Sequence, residues 1–324
     1  MSKTGNHLST TDPLLQIERR TLLCAATGIL GAVAAARSVG LGEPAAAQQE
    51  ESGLSNRDLA PDDLKGEPWV ADKHGGFDLR DPVDNRLATF KISNNLVGRK
   101  TYIAMYSRGL LGPQGKGGAP LFGHMGLWTW QMQRPRKEQY PDAPEGTIVQ
   151  RAMFTGIHLD PFTYEPVEEI YNTYLDRNVK VEDSLFAESY LFYPFGGGVS
   201  VDRPEFMNDD PDSKANLRPL VRWGDDIALM LDGIFTSEGP HQPRMDTSIW
   251  TTPFNQLDDP KVALVNTDYN FAGIMRAWER PWIGVGKDDD AQLLWNVKGT
   301  KYHDVGKFPS VIRKHIVDKY PDRV

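Results

Sequence analysis

Short runs with a two-residue period, separated by turn signals, constrain this chain most. From Gly126 to Gln133, Trp128, Trp130 and Met132 fall on one side and Leu127, Thr129, Gln131 and Gln133 on the other, the pattern of a half-buried strand. Strand-like runs also cover Arg86–Ser93, Lys100–Arg108, Ser184–Tyr193, Leu220–Trp223, Ile227–Phe235, Ser248–Pro253, Ala272–Trp278 and Leu293–Tyr302. Asn94–Gly98 and Gly224-Asp225-Asp226 are turn signals between successive runs. Before Arg86, Asp81 is placed to cap a short helical turn, and only Pro309–Lys319 carries a clear helical stripe, through Val311, Ile312, His315, Ile316 and Lys319. Strands never alternate with helices as a parallel sheet requires. The expectation is a mainly β protein of roughly ten strands, an antiparallel β-barrel-like or curved β-sandwich fold with a C-terminal helix.

Arg151–Tyr174 stands out within this pattern. Arg151 shares a strand face with Val149, Met153 and Ile157, so its guanidinium needs a partner. Beyond a turn at Asp160-Pro161, a second run puts Glu168, Ile170, Asn172 and Tyr174 on one face. As a β-hairpin, the stretch predicts an acid–base site with Asp160, Glu168 and Glu169 as candidate bases, Tyr174 or Tyr171 as acid and Arg151 as oxyanion or carboxylate partner. The competing expectation is an Arg–carboxylate pair that only closes the fold. Asn172, His158, Trp128, Trp130, Arg222 and Arg276 are the candidate substrate-binding residues. Trp223, Trp278, Trp282 and Trp295 add aromatic surface for a pocket or for the core.

The first 47 residues differ from the rest. Arg19-Arg20 precede an Ala/Gly/Leu/Val stretch that ends before Glu43-Pro44-Ala45-Ala46-Ala47, which reads as a twin-arginine-type export signal with Glu18 where Ser or Thr is usual. A polar, flexible arm over 48–76 follows, and then a single domain over 77–324. The twin-arginine export machinery is therefore an expected partner, and a periplasmic or otherwise exported location is expected. Cys24 lies in the leader, so the mature chain has no thiol for a disulfide, a nucleophile or a thiolate-held metal. Without the leader, 32 basic residues face 41 acidic ones, a net charge of −9. Nucleic acid is not expected as a partner.

No G-x-G-x-x-G, G-x-S-x-G, H-E-x-x-H or EF-hand pattern is present, so no cofactor and no metal are expected. Gly112–Gly118 lacks phosphate-loop spacing and reads as a flexible loop. His158 and Asp160, joined by His124 or His303, form the weaker metal alternative.

The segments DPVDNRLATFKI, LFGHMGLWTWQM (Leu121–Met132), LDPFTYEPVEEIYNTY (Leu159–Tyr174) and the run from Arg280 to Pro309 resemble the bacterial DUF1838 family, of unknown function and often exported. The resemblance covers about Phe77 to Tyr320, and the residues after Asn172 depart from its pattern. It implies an exported protein but names no substrate. The functional expectation is binding of a small, aromatic organic molecule in a barrel cavity, with cofactor-independent lyase or isomerase chemistry. A noncatalytic ligand-binding or envelope protein is the alternative, and a metal-dependent oxygenase or hydrolase the third.

Overall fold

The computed structural model describes residues 64, 66–113, 116–136, 138, 146–192, 198–200, 217–235, 244–286 and 288–324. The leader expected over residues 1–47, the loop at 193–197 and most of the insertion at 202–219 lie outside them.

The strands are β1 (Thr101–Pro113), β2 (Ala119–Gln133), β3 (Ile148–Leu159), β4 (Glu169–Asn172), β5 (Arg177–Lys180) and β6 (Ser184–Phe192), then β7 (Gly198–Ser200), β8 (Leu220–Trp223), β9 (Asp226–Phe235), β10 (Arg244–Pro253), β11 (Thr267–Arg276) and β12 (Ala291–Tyr302). Ten of them form one antiparallel sheet in the order β7-β6-β3-β2-β1-β12-β11-β10-β9-β8, while β4 and β5 pair separately. The protein is mainly β, as its periodicity predicts. The β1–β12 pairing joins strands at opposite ends of the described chain, and β3 pairs with β6 across the inserted β4–β5 unit.

The sheet bends. Four strand spacings separate β2 from β10, about 19 Å across a flat sheet at ~4.8 Å each, yet the Trp130 and Trp250 ring centroids are 5.9 Å apart. Their shared face is therefore concave. It carries the largest hydrophobic cluster, with Trp128, Phe154, Leu229 and Phe271. The opposite face buries Tyr102, Met125, Leu127 and Ile157 beneath Phe308, Ile312 and Ile316. Ile312 and Ile316 belong to α3 (Ser310–Ile312) and the π-helical turn Arg313–Val317, where helical spacing predicts a helix.

Two expectations are corrected. Arg86–Ser93 is not a strand but the body of helix α1 (Pro82–Ser93). Asp81 caps it, accepting from Val83 N at 2.9 Å and Asp84 N at 3.0 Å, and Pro82 opens it with a φ already suited to a first turn. Residues 84–93 are all buried, so α1 shows no one-sided stripe to distinguish it from a strand. The arm is fixed over its last residues: Trp69 N donates to Met132 O and Ala71 N to Leu96 O, both at 2.9 Å. A short helix, α2 (Phe254–Asp258), receives the end of the arm, with Gly76 N donating to Asp258 O at 2.7 Å.

Two buried lysines fasten α1. Lys301 Nζ, on β12, donates to Lys91 O at 2.7 Å and Asn94 O at 2.8 Å, satisfying carbonyls at the helix end. Lys91 Nζ reaches outward to His74 O at 2.6 Å, Leu257 O at 2.7 Å and Asp259 O at 3.0 Å. Burial holds both ammonium groups below the usual lysine range, Lys91 at about 8. Lys301→Met fits the space but orphans those carbonyls, and a loss of about 2 kcal/mol is expected; the urea midpoint at neutral pH measures it.

Candidate functional site

The concave face ends in a cluster of histidines and aromatics. Alternation along β3 turns Phe154, Gly156 and His158 inward, and the register sets His158 directly opposite His124 of β2. Both imidazoles are buried, with ring centroids 5.2 Å apart. Phe154 stacks on His124 at 5.6 Å with an interplanar angle of 13°. Glycine makes this possible: a Cβ on Gly156 would stand 2.4 Å from His124 Nε2 and 2.7 Å from the Phe154 ring. Gly109 leaves the same room for Phe122, whose ring would lie 2.2 Å from an added Cβ.

The facing wall comes from after β11. The 3-10 turn Pro281–Ile283 presents Trp282 at 4.8 Å from His158 and 5.2 Å from Phe122. Gly284, at φ 76°, closes that turn in the left-handed region. Trp295 of β12 lies 5.8 Å from His124, and the Arg280 guanidinium sits over its ring at 5.3 Å.

His158 Nδ1 is assigned as donor to Glu182 O at 3.0 Å, which leaves Nε2 as the acceptor of a neutral ring. Burial pushes the His158 pKa down to about 4, with the Glu182 contact opposing the shift. Burial also holds His124 well below the usual histidine range, reinforced by His158 and Arg280. Both rings are therefore neutral at pH 7 and weak as bases. His124 Nδ1 and Trp295 Nε1 are buried without a hydrogen-bond partner. The cluster is suited to stack a flat ring and to exchange hydrogen bonds with a hydroxyl or carbonyl. Among the described residues no group of three or more His, Cys, Asp or Glu is placed to hold a metal ion.

The expected acid–base set does not assemble. Arg151 is buried on the opposite face, in register with Gln131. Asp160 is a turn residue whose Oδ1 accepts from Phe162 N at 2.9 Å and Thr163 N at 2.7 Å; those bonds hold its carboxyl below the ordinary range. Glu168 is exposed, and the Tyr174 hydroxyl donates to Asp290 at 3.0 Å. The hairpin itself is different, because β3 pairs with β2 and β6 while β4 pairs with β5. Asp160 and Thr163 hold the chain in a turn that carries it off the sheet.

Of the expected binding residues, His158 lies in the cluster. Trp128 and Trp130 line the same concave face, Trp128 touching Phe154 at 4.8 Å. Asn172 contributes at one remove: its Nδ2 donates to Ile283 O at 2.9 Å, fixing the turn that carries Trp282, while its Oδ1 accepts from Tyr174 N at 3.0 Å. Arg222 is exposed and stacks over Phe254 at 4.0 Å, and Arg276 ends β11 opposite Gln292, so neither belongs to the cluster. His303 is bound elsewhere, to Val265 O at 3.1 Å. Arg280, Phe122 and Phe154 are the cluster residues that sequence reasoning missed. The available signal for the two rings was Gly109, Gly126 and Gly156 inside strands, where missing side chains mark the approach of Phe122, Phe154 and His124.

No family model matches the chain, and no curated protein matches it. Among solved structures, a DUF1329 family protein from Desulfovibrio piger aligns over 72% of this chain and 96% of its own at 9% identity, with a TM-score of 0.17. Ail, the attachment invasion locus protein of Yersinia pestis, aligns over 64% of this chain and 100% of its own at 5% identity, with a TM-score of 0.13. Neither likeness carries an argument about this protein.

Gly156→Ala should displace His124 and Phe154 and cost about 2 kcal/mol by overpacking, read as a lower denaturation midpoint. Acid should also weaken the fold. The unfolded chain binds a proton on His158 near its ordinary 6.5, whereas the folded chain resists until about 4, so stability rises with pH across that window. The loss from pH 6.5 to 4 is on the order of 3 kcal/mol. A His158→Phe variant should show a shallower pH dependence of the melting temperature.

Proposed function

We propose that this is an exported protein that binds a small, aromatic organic molecule on the concave face of its sheet, at the His124–His158–Trp282–Trp295 cluster. One observation carries the reading: the histidine cluster on the inner face holds buried polar atoms without partners, whereas Thr129, Gln131 and Gln133 on the outer face are paired. Outside, Thr129 donates to Arg323 O at 2.9 Å, while Gln131 donates to Gly98 O and Gln133 to Leu64 O, each at 2.8 Å. Inside, at the histidine cluster, His124 Nδ1 and Trp295 Nε1 have no partner. Buried polar atoms are ordinarily satisfied, so open ones beside stacked aromatic rings support a site that receives a guest.

The finer architectural proposal is an incomplete barrel, supported by the Trp130–Trp250 approach across four strand spacings. Export is supported by the twin-arginine-type leader read at residues 1–47 and by the DUF1838 resemblance, and membership of that family is part of the proposal. Noncatalytic binding is preferred over lyase or isomerase turnover, because Arg151, Asp160, Glu168 and Tyr174 do not converge and the two imidazoles are weak bases.

Extraction of the purified mature protein followed by mass spectrometry should release an aromatic compound. His124→Leu should weaken its rebinding about tenfold, the equivalent of one lost hydrogen bond. A protein that carries no such compound and binds none from an aromatic panel would sink the reading.

A further inference from the structure

A second group of open polar atoms lies under the end of α1, away from the histidine cluster. Trp130 and His124 are six residues apart on β2, about 20 Å at ~3.3 Å per residue. Asn94, the C-cap of α1, donates from Nδ2 to Gln150 Oε1 of β3 at 2.9 Å. The other halves of both amides, Asn94 Oδ1 and Gln150 Nε2, are buried and have no partner. Exchanging the two ends of both amides leaves the same inventory, one acceptor and one N–H donor. Thr89 Oγ1 of α1 and Trp130 Nε1, two positions along from Gln150's register partner Met132, are also buried and without partners. Each of these four side chains is no more than 1% exposed, so bulk water does not satisfy them.

We infer that the end of α1 and the inner face of β2 and β3 enclose a second site, which holds a small neutral guest that donates to Asn94 Oδ1 and accepts from Gln150 Nε2. A charged guest is disfavoured. The described polar groups offered to it are neutral amide, hydroxyl and indole, and burying an ion among them would cost far more than they return. The required chemistry is one donor beside one acceptor in a molecule of a few atoms. Ordered water has it, and so does a primary carboxamide. The site is independent of the aromatic ligand proposed for the histidine cluster, because it shares no residue with it.

The test uses the purified mature protein. A high-resolution crystal structure should show density within hydrogen-bond distance of both Asn94 and Gln150, and native mass spectrometry distinguishes the source. A retained extra mass identifies an organic amide, whereas bridging density without extra mass identifies water. In solution, the Gln150 side-chain amide protons should give cross-relaxation peaks to the guest. Gln150→Leu should abolish the density. Direct closure of the Asn94 and Gln150 groups on protein atoms, with no density and no cross-peak between them, overturns the site.

Discussion

A lysine buried in the middle of the sheet ties the molecule together. Lys301 stands on β12, which pairs with both β1 and β11 and so joins the N-terminal and C-terminal halves of the sheet. Its ammonium spends its hydrogen bonds on the end of α1, so the helix is fastened to the seam. A buried ammonium is costly to desolvate, and carbonyl oxygens whose own helical partners have run out are the groups best able to offset that cost. Lys91 repeats the device in the opposite direction, binding the arm and the loop after α2. Lys301 thus holds the helix end to the seam, and Lys91 holds the helix to the arm and α2.

Once α1 is fixed, it fills one end of the concave face and leaves the other to the histidines. The bent sheet brings Trp130 and Trp250 together on the inner side, with Trp250 and its strand neighbour Tyr269 4.2 Å apart between ring centroids. Large rings meet across a bent sheet only where neighbouring positions are small. Gly109, Gly126 and Gly156 supply those gaps, and they let Phe122, Phe154 and His124 lie flat against the strands. Packing and site thus share one cause.

The Leu159–Tyr174 segment contributes in a way that its composition does not announce. Its carboxylates and phenols are spent on turns and on the surface. Its amide, Asn172, acts through Ile283 to place Trp282 against His158. Arg151 illustrates the general difficulty. Alternation correctly groups it with Val149, Met153 and Ile157 on one face, but periodicity cannot say which face is concave. That face proved to be the one covered by the C-terminal helical turns.

The sequence by itself determined the strand positions, the antiparallel succession, the C-terminal helical segment and the Asp81 cap, because each follows from local periodicity or from a side chain bonding its own neighbours. It misread Arg86–Ser93, since a helix buried on every side presents no stripe. Only the tertiary structure decided that β3 turns away from β4, that His124 and His158 meet across two strands, and that Arg280 joins them from a distant turn. Those facts depend on register and curvature, and both are set by contacts between residues far apart in the chain.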